Sequence, residues 1–502
     1  MQKSKVLENG IKGKEDQIKN TLIYLLPVVL TNLLPIVTLP IFTRVLTKED
    51  YGVLALAHVY GAFMAGLANF GLLNIYNRNF FNYRDSRNRA ELLYSLMLFG
   101  FSSLLVCGAF TFHFKIPVSK WIIGSDAHSA LVFWTFCSVG LINLRSYYSH
   151  YFINSELAKT SVRYTLGESV LAVLFSLWFV VFLRVGVIGL VWGPLAATSI
   201  VFCALTVRFL RSLSFALSGP IFKSSLKLAY PLAPNIFGKV ISNQFDKYMI
   251  GLMSTVGSVG IYGIGQRVAY LVFMYMTAIE NVFIPRVYKR MFDSGKKGGE
   301  AIGIYLTPFV YISIAVGLAV SFFAEEAIII LTPVSFHGAI EIVMILAMFY
   351  GSLFFGKLPQ LIYAKKTFVM TILNYFRILL NISLNIPFII YWGAVGAAWA
   401  TLLAGLISGV VGFAVSQHFY TIQWEYRKVG AIFLVFFVFS ILVLLMRNAD
   451  TDYLFRLGVK MIGVFFFTYI GIKTRILTLD NLLLIKKAVG GIRYGIVQKK
   501  SP

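Results

Sequence analysis

Apolar runs of about 20 residues recur along almost the whole of this 502-residue chain, and nothing else constrains its fold as tightly. Twenty residues of helix rise ~30 Å, the thickness of a bilayer's hydrocarbon core. The chain is 58% hydrophobic and only 13% charged, whereas soluble domains are nearer to a quarter charged. A membrane β-barrel would instead show alternating ten-residue segments, and none appear. The sequence therefore predicts an all-α integral membrane protein with about 14 transmembrane helices. Approximate limits are 20–43, 52–76, 91–113, 127–150, 164–184, 187–207, 228–250, 258–283, 301–323, 338–360, 368–391, 393–416, 429–446 and 453–472. The connections are short and leave no room for a soluble domain.

Residues 1–19 are polar and basic. The apolar run behind them is too long for a signal-peptide core and lacks a small-residue cleavage site, so it reads as a retained first helix. With the N-terminus inside, inner segments hold about 32 of the 45 Lys and Arg and outer loops about eight. The inner segments include "RNFFNYRDSRNR" and "RVYKRMFDSGKK". This asymmetry places both termini in the cytoplasm. The net charge of +24 then faces anionic headgroups and does not imply nucleic acid. Cys107, Cys137 and Cys203 each sit in an apolar run, where no disulfide framework is expected.

Two halves of the chain match at a nearly constant offset. "LLPVVLTN" around Pro27 pairs with "AYPLAPNI" around Pro231, and "EDYGVLAL" at Gly52 pairs with "GSVGIYGI" at Gly260. Lys159-Thr160 pairs with Lys366-Thr367, and "GVIGLVW" from Gly186 pairs with "GAVGAAW" from Gly393. Each repeat holds six spans, an even number, so the halves share one orientation about an axis along the membrane normal. Transporters with a central site between two such halves are a recurring design. The expected organisation is a basic N-terminus (1–19), an N-lobe (20–210), a C-lobe (225–417), two appended spans (429–472) and a basic tail (473–502). In brief, two six-helix pseudo-symmetric lobes carry two extra C-terminal helices.

The first span, "PVVLTNLLPIVTLP", carries Pro27, Pro35 and Pro40, and its twin carries Pro231 and Pro234. Each proline removes a donor and clashes with the preceding turn, so both helices are breakable at matching places. Pro27, Pro35, Pro231 and Pro234 are thus candidate hinge or gate residues. The alternative is a static kink accommodated by neighbouring helices.

Ionisable residues within spans are costly and point to function. Asn235, Lys239, Ser242 and Asp246 share one face of the seventh span, and Asn374, Arg377, Asn381 and Asn385 share a face of the eleventh. Arg267, Tyr270 and Asn281 lie in the eighth span, and Ser138, Arg145 and Ser149 in the fourth, with Arg145 close enough to the inner surface to snorkel. Lys239, Arg267, Arg377 and Arg145 are candidates for a wet cavity that attracts anions. Asn235, Ser242, Asn374, Asn381 and Asn385 are its candidate polar lining, or hydrogen-bonded glue between helices. Asp246, Glu168 and Glu280 are candidate charge partners for Lys239, Arg267 and Arg377, or carriers of a coupling ion.

Enzyme and metal signatures fail on inspection. "GSLFFGKL" from Gly351 to Leu358 has phosphate-loop spacing, but it ends in leucine and lies in an apolar run with no preceding strand. His58, His113, His128, His150, His337 and His418 show no metal-binding spacing. Glu325 and Glu326, at a helix end on the outer side, read as solvated acids. No metal site and no cofactor are expected.

"LPIFTRVLTKEDYGVLALA" after the first span resembles the start of polysaccharide flippases of the Wzx type, and "GSVGIYGIGQRVAYL" resembles their matching second-lobe segment. That family belongs to the superfamily of multidrug exporters and the peptidoglycan-precursor flippase. The resemblance implies a transporter, not an enzyme. It would flip an undecaprenyl-pyrophosphate-linked oligosaccharide across the bacterial cytoplasmic (inner) membrane by alternating access, for surface polysaccharide such as O-antigen. It also implies membrane lipids and the polymerase and chain-length proteins of the same pathway as partners. With no nucleotide-binding fold, energy would come from an ion gradient or the membrane potential. Two alternatives stand beside it. A cation-coupled drug or metabolite antiporter predicts an acidic cavity, and a membrane polysaccharide polymerase or glycosyltransferase needs a sizeable outer loop bearing catalytic acids or arginines.

Overall fold

The computed structural model describes residues 31, 33–83, 85–230, 233–356 and 358–478, with side chains described except at 158, 233–237, 239–243, 282, 296, 355 and 356. All described regular structure is helical. In chain order the α-helices are α1 (Leu39–Val45), α2 (Lys48–Asn69), α3 (Leu72–Phe80), α4 (Ser86–Ile123), α5 (Ser129–Asn154) and α6 (Ala158–Leu177). Next come α7 (Gly189–Ser212), α8 (Gly219–Ala229), α9 (Ala233–Met253), α10 (Val256–Ser294), α11 (Gly299–Phe322) and α12 (Ala324–Leu331). The last are α13 (Ala339–Ser352), α14 (Pro359–Tyr363), α15 (Thr367–Phe419), α16 (Tyr426–Asn448) and α17 (Tyr453–Lys473).

Among the described residues, 10 helices are long and apolar enough to cross a membrane. The protein is a multi-pass membrane protein. The remaining expected spans beyond the first coincide with α9, which is interrupted by polar residues, with the 14-residue α13, and with the second half of α15. That last helix is 53 residues long as a continuous run. A straight helix of that length would reach ~80 Å, far more than a bilayer. Gly393 resolves the conflict: its φ of 56° and ψ of −132° are non-helical. A Cβ on Gly396 would meet the Phe388 carbonyl, so the chain folds back there. The repeat-related Gly186 also has positive φ, 74°, at the turn between a π-helical segment (Trp178–Phe182) and α7. Glycine adopts such angles without a Cβ clash.

The first span breaks as its prolines predict. Pro35 lies in helical residues 33–37, the backbone turns at Thr38, and Pro40 opens α1, where its missing N–H costs nothing. The Pro40 carbonyl accepts from Arg44 Nη1 at 2.7 Å, and Leu39 O accepts from Thr43 Oγ1 at 2.8 Å. Side chains thus satisfy carbonyls where water is scarce. Pro27 and Pro231 lie outside the described residues, as does the side chain of Pro234.

Packing divides the chain into two compact units, one ending at Gly263 and the other beginning at Ile264. In the first, α2 packs on α5, α4 and α9, α5 on α4 and α7, and α6 on α7. An aromatic core links α3, α5 and α7: Tyr76, Phe80, Tyr147, Tyr148 and Phe209 are all buried, with the Tyr148 and Phe209 rings 4.5 Å apart. Within this unit the first turns of α2 and α10 cross closely. A Cβ on Gly52 would collide with the Val256 carbonyl, and one on Gly260 with the Lys48 carbonyl. Both helices start on a threonine cap. Thr47 Oγ1 accepts from Asp50 N–H at 3.1 Å, and Thr255 Oγ1 from Ser258 N–H at 3.1 Å.

In the second unit α11 packs on α13 and α16, α13 on α15, and α16 on α17. Gly317 and Gly351 leave room for the buried Phe436 ring. Between apolar helices in lipid such close fit, rather than expulsion of water, supplies the attraction.

Candidate functional site

In the first unit a polar cluster joins α5, α6 and α7. Arg145 Nε lies 2.9 Å from Glu168 Oε2. Thr198 Oγ1 donates to Glu168 Oε1 at 2.7 Å, and Arg145 Nη1 donates to Ser149 Oγ at 2.7 Å. Arg145 and Glu168 are 9% and 8% exposed. Counted at 1.5 Å per residue, Arg145 lies ~14 Å from the end of α5 and Glu168 ~15 Å from the start of α6. Arg145 is therefore buried within the first unit. Glu168, expected as a partner for Lys239, Arg267 or Arg377, is paired with Arg145. Nearby hydrogen bonds follow the same logic of satisfied polar groups: Tyr147 Oη donates to Asn69 Oδ1 at 2.7 Å, and Asn154 Nδ2 to Asn77 Oδ1 at 3.0 Å.

On α9, Asp246 is buried and its Oδ2 accepts from Tyr262 Oη at 2.8 Å. The side chains of Asn235, Lys239 and Ser242, on the same helix, lie outside the described residues.

The stripe on α15 splits into two parts. Asn385 Nδ2 donates to Asn381 Oδ1 at 3.1 Å, and Asn381 Nδ2 to Thr401 Oγ1 at 3.3 Å, a relay between the two halves of α15. Asn385 is fully buried. Arg377 instead sits toward the more exposed side, its Nη2 donating to Asn374 Oδ1 at 3.0 Å. On α10, Arg267 and Tyr270 are exposed and Glu280 is half-buried.

One cluster was not legible beforehand. Glu325 and Glu326, read as solvated, meet two basic residues of α17. Arg456 Nη2 is 2.8 Å from Glu325 Oε1, and Lys460 Nζ is 2.6 Å from Glu326 Oε1 and 3.6 Å from Glu325 Oε2. Tyr453 Oη donates to Glu326 at 3.1 Å, and Arg456 Nη1 donates to the Thr451 carbonyl. Lys460 is completely buried and Glu325 is 7% exposed. A charge inside a helix bundle persists only with such partners. The available signal was the pair of bases one turn apart, Arg456 and Lys460, within an expected span. Arg447 on α16 adds a third tie, 3.5 Å from Glu341 on α13. Among the described residues no three His, Cys, Asp or Glu side chains gather as a metal set.

Residues 18–291, just over half of the chain, match the family model described as Polysaccharide biosynthesis protein. The chain belongs to this family. Both segments that resemble Wzx-type flippases fall inside the match. The chain is 25% identical over 235 residues to the probable low-salt glycan biosynthesis flippase Agl15 of Haloferax volcanii, covering 44% of this chain and 48% of that relative. The match thus spans about half the length of Agl15. Among solved structures, the lipid II flippase MurJ in an inward closed conformation aligns with TM-score 0.67 at 17% identity, over 90% of this chain and 98% of that one. An inward-facing multidrug resistance MATE family transporter aligns with TM-score 0.60 at 15% identity, over 80% and 97%. At these identities the likeness is one of fold.

Proposed function

We propose that this family member is a transporter and not an enzyme. It flips an undecaprenyl-pyrophosphate-linked oligosaccharide from the cytoplasmic to the outer leaflet of a bacterial cytoplasmic membrane, for surface polysaccharide assembly. The observation that carries the reading is Arg145, a buried arginine within one apolar span, with Arg377 within a second, in a chain of the polysaccharide biosynthesis family. A diphosphate is a dense anion that bilayer hydrocarbon rejects. The planar guanidinium fork matches phosphate oxygens and stays charged at any accessible pH.

In this account Arg145, Lys239, Arg267 and Arg377 hold the diphosphate. Asn235, Ser242, Asn374, Asn381 and Asn385 offer hydrogen bonds to sugar hydroxyls. Asp246, Glu168 and Glu280 balance charge or carry the coupling ion, and the helices bearing Pro27, Pro35, Pro231 and Pro234 bend as the two lobes, 20–210 and 225–417, alternate access. Both termini face the cytoplasm, as the distribution of lysine and arginine supports. The expected partners are the lipid-linked glycan, membrane lipids, and the polymerase and chain-length proteins of the pathway.

Deleting the gene tests the reading in cells. Sugar-lipid should accumulate on the cytoplasmic leaflet while surface polysaccharide disappears. Normal surface glycan in a strain without paralogues contradicts it.

A further inference from the structure

We propose that Glu168 is a resident counter-ion of Arg145, displaced when the anionic head of the transported lipid binds, and that this exchange sets the affinity of the site for phosphorylated lipids. The proposal rests on the transport reading for the identity of the anion; the separable ion pair itself is a property of the first unit alone.

Three observations support a pair built to part. Although 2.9 Å separates Arg145 Nε from Glu168 Oε2, neither atom has a hydrogen-bond partner, so the charges meet at a poor angle. A buried ion pair whose hydrogen bonds are incomplete does not recover the cost of leaving water, and is a weak staple for helices. Each charge also has a second partner: Arg145 donates to Ser149 on its own helix, and Glu168 accepts from Thr198 on α7. These bonds do not depend on the pair, so each group keeps one when the two separate. Finally, both residues are buried within apolar spans, where an unpaired guanidinium is costly, so an empty transporter needs a built-in carboxylate to stand in for the missing anion. A titratable group within electrostatic reach of Arg145 is His150, on α5.

The exchange sets affinity. Any anion that takes Arg145 must first open the pair, so the same penalty falls on each such ligand. Glu168 is on this view a residue that tunes affinity and not a direct ligand.

The test uses the purified full-length protein in detergent and two soluble probes, farnesyl diphosphate and farnesyl monophosphate, with affinities read by calorimetry. Wild type should bind the diphosphate. Glu168→Gln should bind it at least about tenfold more tightly, the lower end of the coupling measured between close charge pairs. It should gain for the monophosphate as well, because the same ion pair no longer has to open. Glu168→Asp keeps the charge and hence the fold while lengthening the contact, and should move both affinities the same way by a smaller factor. Arg145→Gln should abolish these gains in either background. A gain in affinity is a result that damaged packing does not produce. Unchanged or weaker diphosphate binding by Glu168→Gln and Glu168→Asp, with wild type binding normally, overturns the counter-ion role alone. Failure of wild type and Glu168→Gln to bind either prenyl phosphate overturns the transport reading and the exchange with it.

Discussion

Gly52 and Gly260 lie at one helix crossing, and neither has space for a methyl group: a Cβ on the first would enter the Val256 carbonyl, and one on the second the Lys48 carbonyl. The two contacts are mirror-related in sequence, since Lys48 stands to Gly52 as Val256 stands to Gly260, each four residues earlier in its helix. The threonine caps repeat as well. Gly52→Ala or Gly260→Ala should therefore destabilise the protein by ~1–3 kcal/mol, the usual cost of overpacking. The double variant should cost less than the sum, because one shift of the crossing relieves both clashes. Thermal midpoints of the three variants in detergent check this.

The reversal inside α15 makes a second prediction. With ψ of −132° at positive φ, Gly393 occupies backbone territory closed to residues with a Cβ, whereas Gly186 at φ 74° opens a short 3-10 turn. Gly393→Ala should cost ~1–3 kcal/mol of stability and lower the yield of folded protein. A thermal midpoint equal to wild type contradicts the fold-back.

The ionic cluster of the second unit predicts a rescue. Lys460→Met leaves Glu326 and one oxygen of Glu325 without their buried cation, which should cost ~3–5 kcal/mol. Adding Glu326→Leu removes the uncompensated charge and should recover most of the loss. Denaturant titration of the single and double variants reads both effects.

Much of this architecture was open to sequence reasoning because its signals are local. Span length follows from bilayer thickness, and the break between the eleventh and twelfth spans fell at Gly393 because a glycine interrupts two apolar runs. The repeat offset found Gly52 and Gly260 without showing that their helices touch. The Glu325–Arg456 contact escaped because its partners are 131 residues apart and two acids at a helix start look solvated in one dimension. Arg145 was legible as a cation in a span and Glu168 as an available acid, yet composition cannot say which cation an acid meets. Their pairing depends on α5 and α6 presenting both side chains at one depth.

The hinge reading makes a kinetic prediction. Pro35 lies just before the backbone turn at Thr38, so Pro35→Ala should straighten this helix and slow transport without impairing membrane insertion. Wild-type rates would assign the break a static role.

The most direct test of the account is transport by purified protein in liposomes loaded with a fluorescent polyprenyl-diphosphate oligosaccharide, scored by the fraction of probe reaching a chemical quencher or lectin outside. The account predicts protein-dependent translocation of the glycolipid, lost in Arg145→Ala and Arg377→Ala variants that insert normally. Translocation no faster than in protein-free liposomes, or undiminished in both arginine variants, contradicts it.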